Sequence, residues 1–422
     1  MDADSGGGQS TEREARRAIL KQSQAPHILA INGGSSSIKF ALYSVSDPIE
    51  RRMQGVIDRI GINDTTLRYT DPLVTEPASR VIGTLDHGAA ATFLVDWLDK
   101  EVGLASIAAV GHRIVNGGVQ HSRSEPFSDG LLLELRRVSA WAPEHLPAEI
   151  AMVDLIRERR PELLQIACFD TAFHREMPSV AKIMAIPRRL TAKGVERLGF
   201  HGLSFAFLME ELERVAGAEA ARSRVILAHL GNGASLAAVR HGKSIDTSMG
   251  FTPAAGVPMS TRSGDLDPGL LWYLAQTEQM TPEQFNHMVN HQSGLLGVSE
   301  TSSDVRDLLG READDSRAAE AIAMFCYQIR KCIGGFAAAL GGLDTLIFAG
   351  GIGENSPVIR TRICQELGFL GVGLHQVRNN GSERVISVDA SRVTVRVMHT
   401  NEELMIAKSV RAMLPHSHRP SA

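Results

Sequence analysis

The chain has 422 residues, of which 43% are hydrophobic and 22% charged, a globular balance that excludes wholesale disorder and fibrous repeats. At roughly 150 residues per domain, this length gives two or three domains, each able to bury its own core. With 44 basic against 48 acidic residues, the net charge of −4 excludes a nucleic-acid binder working by broad electrostatic attraction, but not a local anion site.

The first 26 residues mix Gly6, Gly7 and Gly8 with a charged run, Glu12 to Arg17, and read as a frayed extension. Acidic residues in that run count against a mitochondrial transit peptide. Ordered structure is expected from His27, where the apolar run Ile28 to Ile31 meets the turn Asn32-Gly33-Gly34-Ser35-Ser36-Ser37 and a second apolar run, Ile38 to Val45. Strand, glycine turn and strand make a hairpin. The layout returns as Val225 to His229, Leu230-Gly231-Asn232-Gly233-Ala234-Ser235 and Leu236 to Arg240. Ile28-Leu29-Ala30 matches Ile226-Leu227-Ala228, Gly33 matches Gly231 and Ser37 matches Ser235, which suggests two similar domains framing a cleft.

Between the hairpins, buried strands are expected over Ile107 to Val110 and Gln165 to Phe169, and a helix over Glu149 to Arg159. The mixture is α/β. Thr281-Pro282 has the N-cap and first-turn pattern of a helix start, and a long helix over Ser316 to Leu340 puts Ala319, Ile322, Ala323, Cys326, Ile329, Ile333 and Phe336 on one stripe. Leu346 to Ala349 reads as a buried strand ending in Gly350-Gly351-Ile352-Gly353-Glu354-Asn355, with Ser356-Pro357 opening the next helix. Thr400-Asn401-Glu402-Glu403 opens a terminal helix with Leu404, Ile406, Ala407, Val410 and Leu414 on its apolar face, stopped by Pro415. Four cysteines, Cys168, Cys326, Cys332 and Cys364, form no CxxC pair, so neither a disulfide framework nor structural zinc is expected and a reducing cytosol is the simpler home. No run of about 18 uncharged apolar residues suggests a membrane span.

Four loops rich in glycine or serine (32–37, 231–235, 260–265, 350–356) are expected to follow or flank strands, where backbone N–H groups converge on phosphate oxygens. Lys39 sits just past the first and Arg262 inside the third, and cations beside amide nests suit polyphosphate. The spacing is not that of a Walker P-loop, no GxGxxG follows a strand, and no GxSxG elbow surrounds a serine. Phosphoryl transfer therefore stands ahead of dinucleotide redox chemistry and covalent serine chemistry.

The motifs ILAINGGSSSIKF, GHRIVNGG, ACFDTAFH, GFHGLS, HLGNGAS, DTSMGFTP, TRSGDLDPG, FAGGIGENS and TNEEL, in this order from Ile28 to about Ala412, resemble the acetate kinase family. The resemblance implies two duplicated ribonuclease H-like lobes of the sugar kinase, chaperone and actin superfamily around a nucleotide cleft. It divides the chain into an extension over 1–26, an N-terminal lobe over 27–174 completed by the helix 400–414, and a nucleotide-binding lobe over 175–399. It implies reversible, ATP-dependent phosphorylation of acetate to acetyl phosphate by direct in-line transfer, with ADP as co-product, in a cytoplasmic homodimer without nucleic-acid or membrane partners. Propionate or another short acid as substrate, or a conformational ATPase of the same superfamily, are the alternatives.

Carried over by matched position, Asn32 and Glu402 are associated with magnesium, for which manganese can substitute, and Asp170 is a catalytic carboxylate nearby. Arg113 faces the substrate carboxylate, with Val115, Phe200 and Pro253 as apolar walls. His201 and Arg262 contact the transferring phosphoryl group, and His145 lines the site. Ser35, Ser37, Lys39 and the segment His229, Leu230, Gly231, Asn232, Gly233 approach the nucleotide phosphates. Asp304, Val305 and Arg306 hold the adenosine, and Gly351, Ile352, Gly353, Glu354 and Asn355 close around it. Plainer readings stay open: Asp170 as a turn cap, Asn32 as a turn asparagine, Glu402 as a helix-dipole glutamate, and His145 and His201 as satisfied core histidines.

Arginine's planar fork matches a carboxylate bidentately, which suits Arg113 to an acid substrate better than a lysine would be. Such an acid is already ionised at pH 7, so Asp170 is read as positioning magnesium and not as a general base. The chain also departs from the family pattern. Ala142-Pro143-Glu144-His145-Leu146-Pro147 stands where APLHNP is usual, which puts the carboxylate of Glu144 at the methyl end of the acid unless it turns to water. Asn116 stands where histidine is more usual. Leu203 and Phe205 remove two polar groups near His201, and Val305 replaces a common phenylalanine.

Overall fold

The computed structural model describes residues 26–34, 36–70 and 77–415. Most of the expected N-terminal extension, and Ser35, lie outside these residues. Packing divides the chain into two compact units, one running to Asp170 and resuming at Glu402, the other Thr171–Asn401.

The first unit is built on β1 (His27–Gly33), β2 (Ser37–Ser44), β3 (Arg51–Asp58), β4 (Thr65–Thr70), β5 (Ala78–Gly83), β6 (Ile107–Ile114), β7 (Glu125–Pro126) and β8 (Leu164–Phe169). They form one sheet in the order β5-β4-β3-β2-β1-β6-β8-β7. β1 to β5 run as an antiparallel meander, while β1, β6 and β8 are parallel. Parallel strands need both faces covered, and here α1 (His87–Glu101) and α2 (Leu146–Arg159) do so on one face. Leu94, Trp97, Leu98, Met152 and Ile156 from these helices pack on Leu29, Phe40, Leu42 and Val110. The C-terminal helix, Glu402–Met413, packs on β1 and β6.

That last contact depends on Gly111 in β6. A Cβ there would run into the side chains of Ile406 and Val410, so only glycine lets the helix approach this closely.

The second unit holds β9 (Arg224–Leu230), β10 (Ala234–Arg240), β11 (Lys243–Thr247), β12 (Thr345–Ala349) and β13 (Thr394–Val397) in the order β11-β10-β9-β12-β13. Here too three antiparallel strands are followed by two parallel ones. The order and directions repeat those of β3-β2-β1-β6-β8, so the ribonuclease H-like arrangement is present twice and the repeated hairpin reflects a repeated sheet. α3 (Gly202–Arg222) puts Phe205, Leu208 and Leu212 on the core with Val225, Leu227 and Ile347. α4 (Ser316–Leu340) packs on β10 and ends at Gly341 in the left-handed region.

Three local expectations shift. With Ile28–Ala30 set on Ile226–Ala228, Asn32 pairs Lys39 in the first hairpin while Leu230 pairs Ala234 in the second, so the first turn is longer and Ser37 and Ser235 do not occupy corresponding rungs. Along α4 the buried stripe runs through Ala318, Ile322, Phe325, Cys326, Ile329 and Ile333, leaving Ala323 exposed. Segment 260–265 lies in a long strandless stretch after β11, so it does not flank a strand. The Thr281 N-cap with Pro282 in the first turn, by contrast, is present as its sequence suggests, and Gln284 completes a capping box.

Replacing Gly111 with valine should overpack the β6–helix contact and lower stability by about 1–3 kcal/mol. A melting temperature unchanged from the wild type would show that the helix is not docked through this gap.

Candidate active site

In the first unit the candidate residues gather at the C-terminal ends of β1, β6 and β8. Asp170 follows directly on β8 and is fully buried, its backbone N–H donating to Ile114 O. Arg113, on β6, donates from Nη2 to Asp170 Oδ2 at 2.7 Å and from Nη1 to Gly33 O at 3.0 Å. Its Nε is buried with no hydrogen-bond partner among the described residues. Burial opposes the guanidinium's charge, but Asp170, Glu402 and Glu149 outweigh it and hold the group protonated well above its ordinary range.

Asn32, at the end of β1, donates from Nδ2 to Glu402 Oε2 at 2.8 Å and to Glu403 Oε1 at 3.1 Å. Residues 370 apart in sequence are thus tied together, because the C-terminal helix begins against this strand. Burial, and next the charge of Asp170, push the Glu402 carboxyl above its usual range, with Arg113 pulling the other way. Lys39 is exposed on β2 opposite Asn32, and Ser37 opens the same strand. Val115 is buried just past β6. Among the described residues no three His, Cys, Asp or Glu side chains gather as a ready metal site. The oxygen donors of Asn32, Asp170 and Glu402 still fit the chemistry of magnesium, which takes one or two carboxylates and completes its shell with waters and substrate phosphates.

His145 occupies the N-cap of α2 and lines a pocket together with Arg113, Gly33, His87, His112 and a residue the motifs did not single out, Glu149. Glu149 Oε2 accepts the Val115 N–H at 3.0 Å, and Oε1 stands 3.9 Å from Arg113 Nη1. Burial pushes its carboxyl up to about 7 against the pull of Arg113. In sequence Glu149 was visible only as the start of an expected helix. Glu144 is exposed, as expected if its carboxylate turns to water.

In the second unit His201 precedes α3 with a left-handed backbone (φ 59°, ψ 25°), a strained conformation of the kind found at functional positions. Its ring is held by Nδ1 to Ser235 Oγ at 2.8 Å and by stacking on His229, with centroids 4.5 Å apart. Phe205 meets it edge-on, with centroids 6.5 Å apart, and is otherwise core. The apolar replacement at 205 thus gives His201 an edge contact and no hydrogen bond, while Ser235 holds its Nδ1. His229 is fixed in turn by Ser204, which also bonds Thr400.

The turn between β9 and β10 carries Gly231, Asn232 and Gly233. His201 Nε2 and Arg262 Nη1 come within 3.3 and 3.5 Å of the point a Cβ would occupy on Gly233, and Gly351 N lies 3.9 Å from the corresponding point on Gly231. An imidazole, a guanidinium and open backbone therefore converge. Asn232 ties in the long segment through its carbonyl and the Ser260 N–H at 3.2 Å. Phe200 is buried and Pro253 half-buried in this unit, where Pro253 O is 3.5 Å from Arg262 Nη1.

Gly350–Asn355 forms a short helix and not an open loop. Glu354 caps it from within, accepting the Gly350 N–H at 2.9 Å and meeting His399 Nδ1 at 2.6 Å, while Asn355 donates to Gly351 O. Asp304 caps the helix Val305–Arg311 and pairs the exposed Arg306, and Val305 is buried beneath them. Arg360 was not foreseen. It is fully buried and donates to Gly353 O, Glu354 O, Asn379 Oδ1, Asn379 O and Ser382 Oγ, and burial lowers its pKa to about 10.

The family model described as the Acetokinase family matches residues 27–408. A propionate kinase of Citrobacter rodentium is 42% identical over 390 residues, 91% of this chain and 96% of that one. An acetate kinase of Rhodopseudomonas palustris is 41% identical over 397 residues, 91% and 97% of the two chains. Among solved structures, a propionate kinase from Francisella tularensis superposes with a TM-score of 0.84 at 36% identity, covering 91% of this chain and 98% of that one. Porphyromonas gingivalis acetate kinase gives 0.82 at 36% identity, covering 93% and 100%.

Arg360→Met should leave buried carbonyls without their donor and lower stability by about 3 kcal/mol. Chemical denaturation measures it, and an unchanged midpoint would show that these acceptors find other partners.

Proposed function

The chain belongs to the acetokinase family, and from that premise we propose that it phosphorylates acetate with ATP, reversibly, giving acetyl phosphate and ADP by direct in-line transfer. The broader statement, an ATP-dependent phosphotransferase with a carboxyl group as acceptor, comes with the family. Propionate is the second acid, because relatives named for the two acids are equally similar, at 42% and 41% identity.

The observation that carries the reading is the convergence of Arg262 and His201 on the open backbone of Gly233. Phosphoryl transfer asks for little covalent work from the protein and mostly for alignment and cations on the equatorial oxygens. Arg262 supplies the charge, and His201 a ring nitrogen, Nε2, whose direction is set by the contact of Nδ1 with Ser235, both beside a turn that Gly231 N–H and Gly233 O close on themselves. Residues His229 and Leu230 deliver this turn from β9. Asp304 to Arg306 and the helix Gly350–Asn355 take the adenosine.

In the first unit Arg113 takes the carboxylate, with N–H groups to spare beyond those given to Asp170 and Gly33. The acid is ionised at neutral pH, so no base is needed to bare the attacking oxygen. Asp170 fixes the guanidinium plane, and Lys39 offers a further cation to polyphosphate. Asn32, Asp170 and Glu402 are the oxygen donors for magnesium, which when bound supplies neutralising charge to the phosphate oxygens. A carboxyl pushed upward by burial and by a neighbouring acid, as in Glu402, is one that a divalent cation would relieve.

The proposal extends to a cytoplasmic homodimer. Among the described residues no helix is long and apolar enough to cross a membrane. Leu271, Trp272 and Tyr273 on the helix Gly269–Thr277 are 37%, 71% and 59% exposed, an apolar group of the kind that a second copy covers.

The two arginines separate the roles. Arg113→Ala should raise the acid KM roughly 10- to 150-fold, the loss of a charge-assisted hydrogen bond, with a smaller change in kcat. Arg262→Ala should lower kcat roughly 100- to 1000-fold with the acid KM little changed. Near-wild-type kinetics in both would remove the assignment.

A further inference from the structure

Glu149 takes no part in the mechanism above, yet it stands beside the acid clamp. Its side chain is 4% exposed, and its two oxygens are not equivalent. Oε2 already accepts the Val115 N–H, whereas Oε1 has no hydrogen-bond partner among the described residues, faces Arg113 Nη1 at 3.9 Å and borders the pocket. Arg113 is meanwhile shared among Asp170, Glu149 and, through its field, Glu402. A substrate carboxylate arriving on that guanidinium meets a third acid at close range unless Glu149 is neutral.

We propose that Glu149 holds a proton on Oε1 and donates it as a hydrogen bond to the carboxylate bound at Arg113, so that the enzyme takes its acid substrate together with one proton. The proton belongs on Oε1 because Oε2 is an acceptor already. The step makes and breaks no covalent bond beyond the O–H, which is formed with a proton from solvent. It rests on the reading of Arg113 as the carboxylate clamp. The position of the carboxyl's titration, pushed up to about 7 by burial, makes the neutral form accessible at working pH. The charged and titratable groups around it are Arg113 and His112 from β6, Asp170 from the end of β8, His145 at the head of its own helix, and His87 from α1. Burial lowers His112 to about 4, so it stays neutral across the range tested.

The test is the pH dependence of the acetate KM in the full-length enzyme at saturating ATP and magnesium. For one group titrating near 7, the wild-type KM should rise about tenfold between pH 6 and pH 8. Acetate itself stays ionised across that range. Glu149→Gln keeps the volume, the acceptor for Val115 and a neutral donor, and should give a low KM that is flat over the same range. That flatness also separates Glu149 from the other titratable groups around the pocket, which the variant leaves in place. Should the glutamine variant fail to fold, Glu149→Asn replaces it. A flat wild-type profile overturns the proposal, as does a slope retained in the variant. If Arg113→Ala leaves the acid KM unmoved, the clamp reading itself fails; if it raises KM while the wild-type profile is flat, the clamp stands and the role of Glu149 does not.

Discussion

A guanidinium buried among carboxylates governs the first unit. Burying an ion is costly unless it is paired and hydrogen-bonded; Arg113 pairs Asp170 and donates to Gly33 O, while its Nε has no partner among the described residues. Each partner comes from a different strand: Gly33 from β1, Arg113 from β6, and Asp170 from the end of β8. The three strands are parallel neighbours, so their C-terminal ends coincide and this cluster falls where parallel sheets commonly place their ligands. Asp170 is the acid in direct contact with the guanidinium, so the ion pair holds only while β6 and β8 stay in register.

The same sheet plan serves different chemistry in the second unit. There the parallel pair β9 and β12 runs into a glycine turn, Gly231–Gly233, and a short glycine-rich helix, Gly350–Asn355, where the first unit has buried ions. Arg262 reaches this point from a long strandless segment, and His201 from a strained residue ahead of α3. Duplication provides the two frameworks. The turn lengths and the residues at the strand ends differ between them, buried charges in the first unit and glycines in the second.

Much of this was legible in the sequence, for identifiable reasons. Glycine turns, capping residues and apolar runs act locally, so β1, β9, β12, the Thr281 cap and the span of α4 could be read directly. The buried face of α4 holds Ile322, Cys326, Ile329, Ile333 and Phe336 as the pattern reads, but not Ala319 and Ala323, because alanine is tolerated on either side of a helix and the pattern alone does not place it. Ser37 and Ser235 matched in sequence but not in rung, since a longer turn changes register without disturbing the similarity. Arg113, Asp170 and Glu402 were reachable only through family resemblance: their proximity depends on which strands neighbour one another. Glu149 and Arg360 lay beyond both routes. Glu149 matters because α2 sets it against a backbone N–H 34 residues away, and Arg360 because its five acceptors assemble only on folding.

An acid kinase must deliver a phosphoryl group from ATP to a carboxylate. Hydroxylamine trapping of the acyl phosphate, with ATP, magnesium and a panel of acetate, propionate and a hydroxylated acid, measures that transfer itself. Acyl hydroxamate formed with acetate and with propionate, and ATP consumption that stops when the acid is withheld, is the predicted result. ATP hydrolysis indifferent to the acid, or acid binding without any hydroxamate, would contradict it.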